Sequence, residues 1–164
     1  MQFVINYCRV TLHLITLFRK NIQLQLRCLN AITMIKPLPY LLLRLLLGMS
    51  FFGHGLVRLP KLAEFSGWMV ESFSKSMLPE ALVTPFSYIL PVAEFITGIL
   101  LLAGLFTKTA LVAAAVIMLA LIFGSSMIEE WNSIPSQLIH GTLAVYLLNN
   151  IEANRLSADF KLKQ

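Results

Sequence analysis

The chain has 164 residues, of which 57% are hydrophobic and only 13% are charged, whereas a soluble domain carries about a quarter charged residues. This composition excludes an ordinary soluble domain, and the long apolar runs lack the period-two alternation of a membrane β-barrel. The net charge of +5 does not indicate nucleic-acid binding, because the cations flank the apolar runs and form no basic cluster interleaved with aromatic residues. We therefore predict an all-α membrane protein, a bundle of four transmembrane helices.

Residues 1–36 form a basic N-terminal arm with five cations and no acidic residue. Apolar residues recur in the arm near helical spacing, but no uncharged run is long enough to cross a bilayer. Two interpretations stay open: a cationic helix on the membrane surface, or sequence upstream of a true start at Met34. The two cysteines of the chain, Cys8 and Cys28, lie in this arm without metal-site spacing.

The first span is predicted from Leu38 to Val57, and it contains Arg44 and His54. Residues 60–83 then mix charged side chains with apolar ones at helical spacing. This pattern predicts an amphipathic helix at the membrane interface, and a loop with one apolar side is the alternative.

The remaining spans are predicted over Thr84–Leu105, Thr109–Met127 and Ile134–Leu148. Glu94 is the one ionisable residue of the second span and lies near its middle. A carboxylate there costs a few kcal/mol in lipid, so we expect it to face inward and to have a partner. The third span has no ionisable residue and is rich in alanine, which predicts a helix that packs closely against its neighbours.

The division predicted from these patterns is a bundle over residues 37–150 and a polar tail over 151–164. With four spans, both termini lie on one side together with Lys108, while the acidic Glu129–Glu130 turn lies on the other. Because cytoplasmic loops carry an excess of Lys and Arg, we predict that both termini are cytoplasmic.

Arg44 and Glu94 have similar estimated depths on consecutive spans, so we predict that they meet. One interpretation is an ion pair that holds the helices in register. The other is a polar pocket in which Glu94 accepts a proton or a hydrogen bond.

His54 and His140 are predicted to share the outer half of the bundle, with Gln137 beside His140. Hydrogen bonding between helices is the simpler interpretation. Haem ligation by two histidines is disfavoured because their depths match only loosely, and a zinc site would need ligands that the sequence does not supply. No nucleophile set, phosphate loop or dinucleotide motif is present. The predicted intramembrane site comprises Arg44, His54, Glu94, Gln137 and His140.

Two segments resemble the DoxX family of small four-helix membrane proteins. The first is LRLLLGMSFFGHG at 43–55, and the second is PVAEFITGILLLAGLFT at 91–107, with the spacing E-x3-G-x5-G. The resemblance extends over about residues 38–150. Three glycines within these segments are predicted to allow close helix packing: Gly48, Gly98 and Gly104.

The resemblance implies a protein of the bacterial cytoplasmic membrane. Some relatives are subunits of a thiosulfate:quinone oxidoreductase, and others partner redox or stress-defence enzymes, so the expected role is an accessory subunit of a quinone-linked redox system. The implied partners are the lipid bilayer and a redox protein, quinone is the candidate cofactor, a homo-oligomer is compatible with the sequence, and no catalytic residue is assigned to the chain alone. The alternative is a small transporter or a structural membrane protein, in which Glu94 carries protons or holds helices together.

Overall fold

The computed structural model describes residues 35–162. This part of the chain is helical, without β-strands. The expectations about the basic arm, its two cysteines and a start at Met34 concern residues outside that range, apart from the last two positions of the arm.

Six α-helices and two 3-10 turns make up the described residues. The first helix begins with Pro37, where the missing proline N–H costs no hydrogen bond, and its continuation is interrupted at Pro60. In chain order the elements are α1 (Pro37–Arg58), a 3-10 turn (Leu59–Lys61), α2 (Leu62–Phe73), α3 (Glu80–Ala103), α4 (Thr107–Met127), α5 (Ile134–Asn149), a second 3-10 turn (Ile151–Ala153) and α6 (Ala158–Lys161).

Three helical segments in the described range are long and apolar enough to cross a membrane: Pro37–Phe73, Glu80–Ala103 and Thr107–Met127. The first of them joins α1 and α2 across the 3-10 turn. The fourth predicted span corresponds to α5, which has 16 residues and is therefore about 24 Å long. The protein is thus an all-helical membrane protein with three segments of spanning length in residues 35–162.

The helix predicted over residues 60–83 is shorter in the structure. It ends at Phe73, and a turn leads to Pro79, after which residues 80–83 already belong to α3. Proline pre-sets its own φ and suits the position before a helix, so α3 begins a turn earlier than Thr84. On its buried side α2 packs against α3, where the hydroxyls of Ser66 and Ser87 are hydrogen-bonded over 2.7 Å.

The backbones of α1 and α3 come nearly into contact where they run antiparallel, and α1 packs more extensively on α3 than on any other described helix. A Cβ on Gly48 would lie 3.0 Å from the Cβ of Leu101, and a Cβ on Gly98 would overlap the backbone of Phe52. Gly55 is equally enclosed by α3. Small residues allow this approach, which is a common way for helices to associate in lipid.

The turn between α3 and α4 requires a left-handed residue. Gly104 has φ +67° and ends α3, a conformation that is inexpensive only for glycine. The carboxylate of Asp159, in α6, accepts hydrogen bonds from the backbone N–H groups of Phe106 (2.8 Å) and Thr107 (2.7 Å). This anion at the N-terminus of α4 satisfies unpaired donors there.

The residues after α5 fold back onto the bundle. Asn154, in the segment predicted as a polar tail, is only 8% exposed, and Asn150 just before that segment is 7% exposed. The amide nitrogen of Asn154 donates to the Thr107 hydroxyl over 3.0 Å. This polar segment is therefore partly buried, because its side chains satisfy groups at the α3–α4 turn.

Replacing Gly98 with alanine should lower the melting temperature of the detergent-solubilised protein, because the new methyl group overlaps the backbone of α1. Overpacking of this kind costs about 1–3 kcal/mol. Gly53→Ala is the matched control, since a Cβ at Gly53 meets nothing within 4 Å. That variant should melt at or above the wild-type temperature, and equal melting of the two variants would contradict the glycine contact.

Candidate functional site

A cavity of about 280 Å³ lies inside the bundle near the junction of α1 and α2. Its walls come from α1 to α5, and among these helices α2 and α5 make no extensive contact with each other. One part of the lining is aromatic: Phe51, Phe65, Trp68, Phe73 and Phe86. The other part carries polar groups that include His54, Arg58, Glu94, Gln137 and His140.

The central feature of the polar lining is an ion pair between α1 and α3. Nη1 of Arg58 donates to Oε2 of Glu94 over 2.6 Å, and the two side chains are 30% and 3% exposed. The Arg58 guanidinium also lies over the ring of Phe65, 4.8 Å from its centroid. A short charge-assisted contact of this kind is stronger than a neutral hydrogen bond, and it compensates the buried carboxylate.

The predicted meeting of Arg44 with Glu94 is wrong. Arg44 packs on the end of α3, where a Cβ on Gly104 would overlap its Nη1. Glu94 precedes Phe95, the residue that lies against Gly55 near the other end of α1. Along α1, Arg44 and Gly55 are about 16 Å apart. The predicted depths of Arg44 and Glu94 were estimated from separate helix ends and did not include the antiparallel register of α1 and α3. That register places Arg58, and not Arg44, beside Glu94.

Arg44 instead joins α1 to the C-terminal segment. It is 2% exposed, and its Nη2 donates to the backbone carbonyl of Leu156 over 3.1 Å. Tyr40, one turn earlier, is equally buried. Within residues 35–162, the Tyr40 hydroxyl and two Arg44 nitrogens have no hydrogen-bond partner. Arg44 does not line the cavity, so it is separate from the other predicted site residues.

His140 is held by hydrogen bonds at both ring nitrogens. Nδ1 lies 2.7 Å from the carbonyl oxygen of Ser136 and therefore carries the proton that is donated to it. Nε2 then accepts from the Ser50 hydroxyl, also over 2.7 Å. The ring of Phe51 packs edge-on against the imidazole. To ligate a haem iron, His140 would have to give up one of these hydrogen bonds.

His54 and Gln137 face the same cavity from α1 and α5. His54 has exposed surface there and makes no hydrogen bond within the described residues. Gln137 donates through Nε2 to the Ser125 hydroxyl over 2.9 Å, while its Oε1 is buried without a partner in that same range. Four of the five predicted site residues thus line one cavity.

Sequence reasoning missed Arg58, Ser50 and the aromatic wall. Arg58 follows the predicted end of the first span at Val57, yet it lies one turn after His54 on the same helical face. The glycines at 48, 55 and 98 contained a signal for the register of α1 against α3, and that register places Arg58 beside Glu94. Among residues 35–162, no group of three or more His, Cys, Asp or Glu residues could hold a metal ion.

Comparison with known families decides the lineage of the chain. The model of the DoxX family matches residues 40–126, more than half of the 164 residues. The chain belongs to the DoxX family. The match includes nearly all of α1 and α4 and the whole of α2 and α3, and with them the Arg58–Glu94 pair. No curated protein and no solved structure matches the chain.

A double-mutant cycle should detect the Arg58–Glu94 pair. Arg58→Gln and Glu94→Gln should each destabilise the bundle, because each leaves a partly buried charge without its partner. The free energy of unfolding should fall less in the double variant than the sum of the two single decreases, with a coupling energy of about 1–3 kcal/mol.

The control cycle combines Arg44→Gln with Glu94→Gln. These two residues share no contact, because Arg44 packs against Gly104, which lies about 15 Å from Glu94 along the direction of α3, so their losses should add within about 0.5 kcal/mol. Thermal unfolding in detergent supplies the free energies. Coupling in the Arg44 cycle, or strict additivity in the Arg58 cycle, would contradict the assignment.

Proposed function

We propose that this DoxX-family membrane protein is an accessory subunit of a membrane redox system and that its cavity binds the ring of a quinone. The observation that carries the proposal is the cavity itself, with aromatic side chains on one part of its surface and the Arg58–Glu94 pair on another. Small-molecule sites commonly combine an apolar lining with a few placed polar groups.

The shape and chemistry of the cavity suit one flat, amphipathic ring. Aromatic side chains offer stacked or edge-on contacts to such a ring. Arg58, His54 and the Ser125 hydroxyl offer polar contacts to its oxygens. A volume of about 280 Å³ is near the lower end for small-molecule sites, so it accommodates the ring while an apolar tail extends into lipid between α2 and α5.

In this proposal the bound ring carries the electrons. A partner redox protein supplies or accepts them, and the chain has no catalytic activity alone. His54, His140 and Gln137 position the ring, and Arg58 and Glu94 form the polar end of the site. Arg44 acts elsewhere, in joining the C-terminal segment to α1.

The proposed topology has four spans, formed by α1, α3, α4 and α5, in the bacterial cytoplasmic membrane. The short α5 is extended by the 3-10 turn that follows it. Both termini are cytoplasmic, and α2 lies at the outer interface with its charged residues exposed and Trp68 at headgroup depth. The cavity then opens toward the outer half of the bilayer.

The rival function is a transporter or structural protein in which Glu94 serves helix packing or proton transfer. The 2.6 Å contact between Arg58 and Glu94 also fits a pair that fixes the register of α1 on α3. Quinone binding separates the two functions, because a register pair needs no ligand in the cavity.

A quinone with a short tail should quench the fluorescence of Trp68 in a saturable manner. Trp68 lines the cavity, whereas Trp131, the other tryptophan, does not. The measurement uses Trp131→Phe, which leaves Trp68 as the reporter. In the matched variant Trp68→Phe, quenching of Trp131 should rise only linearly with the quinone concentration, because it then results from collisions in solution. Linear quenching in both variants would refute quinone binding and favour the structural alternative.

Cysteine labelling in intact cells should report the proposed orientation. Single cysteines at Glu71 and Glu130 should react with a membrane-impermeant maleimide from outside, in a chain whose Cys8 and Cys28 are replaced by serine. A cysteine at Lys108 should react only after permeabilisation. All three positions are exposed, so the reverse pattern of labelling would contradict cytoplasmic termini.

A further inference from the structure

We propose that the cavity prefers the reduced, hydroxyl-bearing form of its ring ligand, a hydroquinone, and that Oε1 of Glu94 accepts the hydrogen bond from that hydroxyl. This inference rests on the proposed function and adds to it which redox form is bound, and through which atom.

Glu94 has one oxygen with a partner and one without. Oε2 accepts from Arg58, while no hydrogen bond reaches Oε1 from any residue that the structure describes. The side chain is 3% exposed and lines the cavity. Oε1 itself is not fully occluded, so a molecule in the cavity can reach it. A buried carboxylate oxygen without a donor is unfavourable. A molecule in the cavity that donates a hydrogen bond removes this cost.

The charge of the site selects a neutral donor. The Arg58 guanidinium is held between the Glu94 carboxylate and the ring of Phe65, so its positive charge is already compensated. An anionic ligand that contacts Oε1 would meet a carboxylate whose cation is already paired with it, and like charges in contact repel strongly in a site of low dielectric. A neutral hydroxyl offers the hydrogen bond without a second charge.

Gln137 offers no second acceptor to the ligand. It directs its amide nitrogen to Ser125, and its Oε1 is fully occluded, so a molecule in the cavity does not reach that oxygen. The acceptor that lacks a donor and stays within reach is Oε1 of Glu94, and a ring hydroxyl supplies the donor. The carbonyls of the oxidised ring only accept hydrogen bonds, so a quinone at the same position places acceptor against acceptor.

The test on the wild-type protein compares three ligands with the same short tail: a benzoquinol kept reduced without oxygen, its quinone, and the dimethyl ether of the quinol. Affinity is measured by equilibrium dialysis of the full chain in detergent. A hydrogen bond to a charged acceptor predicts that the quinol binds about 10- to 100-fold more tightly than the other two.

Each result of that comparison has a defined meaning. Equal affinity for quinol and quinone overturns the preference while the proposed function stands. An ether that binds as tightly as the quinol excludes the hydroxyl donor and overturns the role of Glu94 Oε1. Failure of all three ligands to bind overturns the proposed function, and this inference with it.

Glu94→Gln should reverse the selectivity. Its amide oxygen still accepts from Arg58, which turns the amide N–H group toward the cavity, where it donates to a quinone carbonyl and no longer accepts from a quinol. The expected result is quinone binding at least as tight as quinol binding.

Glu71→Gln is the matched control, since this carboxylate is exposed on α2 and does not line the cavity. It should keep the wild-type preference. A preference for quinol that persists in Glu94→Gln would overturn the proposal, and if that variant does not insert, the ligand series on the wild type decides.

Discussion

The close approach of α1 and α3 is the constraint on which the rest of the structure depends. Gly48, Gly55 and Gly98 remove the side chains that would separate the two backbones. Packing at this distance maximises van der Waals contact, which is a main attraction between helices in lipid. It also allows little sliding, because a displaced register would place a bulky side chain where a glycine is required. The register in turn determines which polar residues face each other.

The two buried charged residues that we predicted to meet are compensated in different ways. Glu94 is paired with Arg58, at the far end of α1 from Arg44. Arg44 donates to a backbone carbonyl of the C-terminal segment, and the Asp159 carboxylate of that segment also acts on it electrostatically. Either charge alone would cost several kcal/mol in the bilayer. The same requirement therefore produces an ion pair beside the cavity and a link between α1 and the chain terminus at the other end.

The cavity results from the way the helices diverge around the ion pair. α3 is packed on both α1 and α2, while α5 packs chiefly on α4 and leaves α2 without a close neighbour on that side. Aromatic residues from three helices then line the space, and hydrogen bonds hold His140 and Gln137 at its edge. The cavity thus combines polar side chains held by hydrogen bonds with aromatic side chains that adjoin lipid. This combination is the basis for the proposed quinone role.

The membrane class and the positions of α4 and α5 were determined by the sequence alone. Long apolar runs, proline at helix starts and glycine at 104 are local signals, and they predicted α4 and α5 to within two residues at each end. They also indicated that Glu94 needs a partner and that His54, Gln137 and His140 belong to one region, where all four line the cavity.

The tertiary structure alone decided which cation reaches Glu94, and that Arg44 and the asparagines after α5 are buried. A helix is specified by neighbours in sequence, whereas the pairing of two helices depends on contacts summed along their whole length. An error of one turn in depth is about 5.4 Å, more than the reach of a hydrogen bond, so depth estimates from separate helix ends could not identify the partner. Only the glycine contacts between α1 and α3, read together as one antiparallel register, place Arg58 against Glu94.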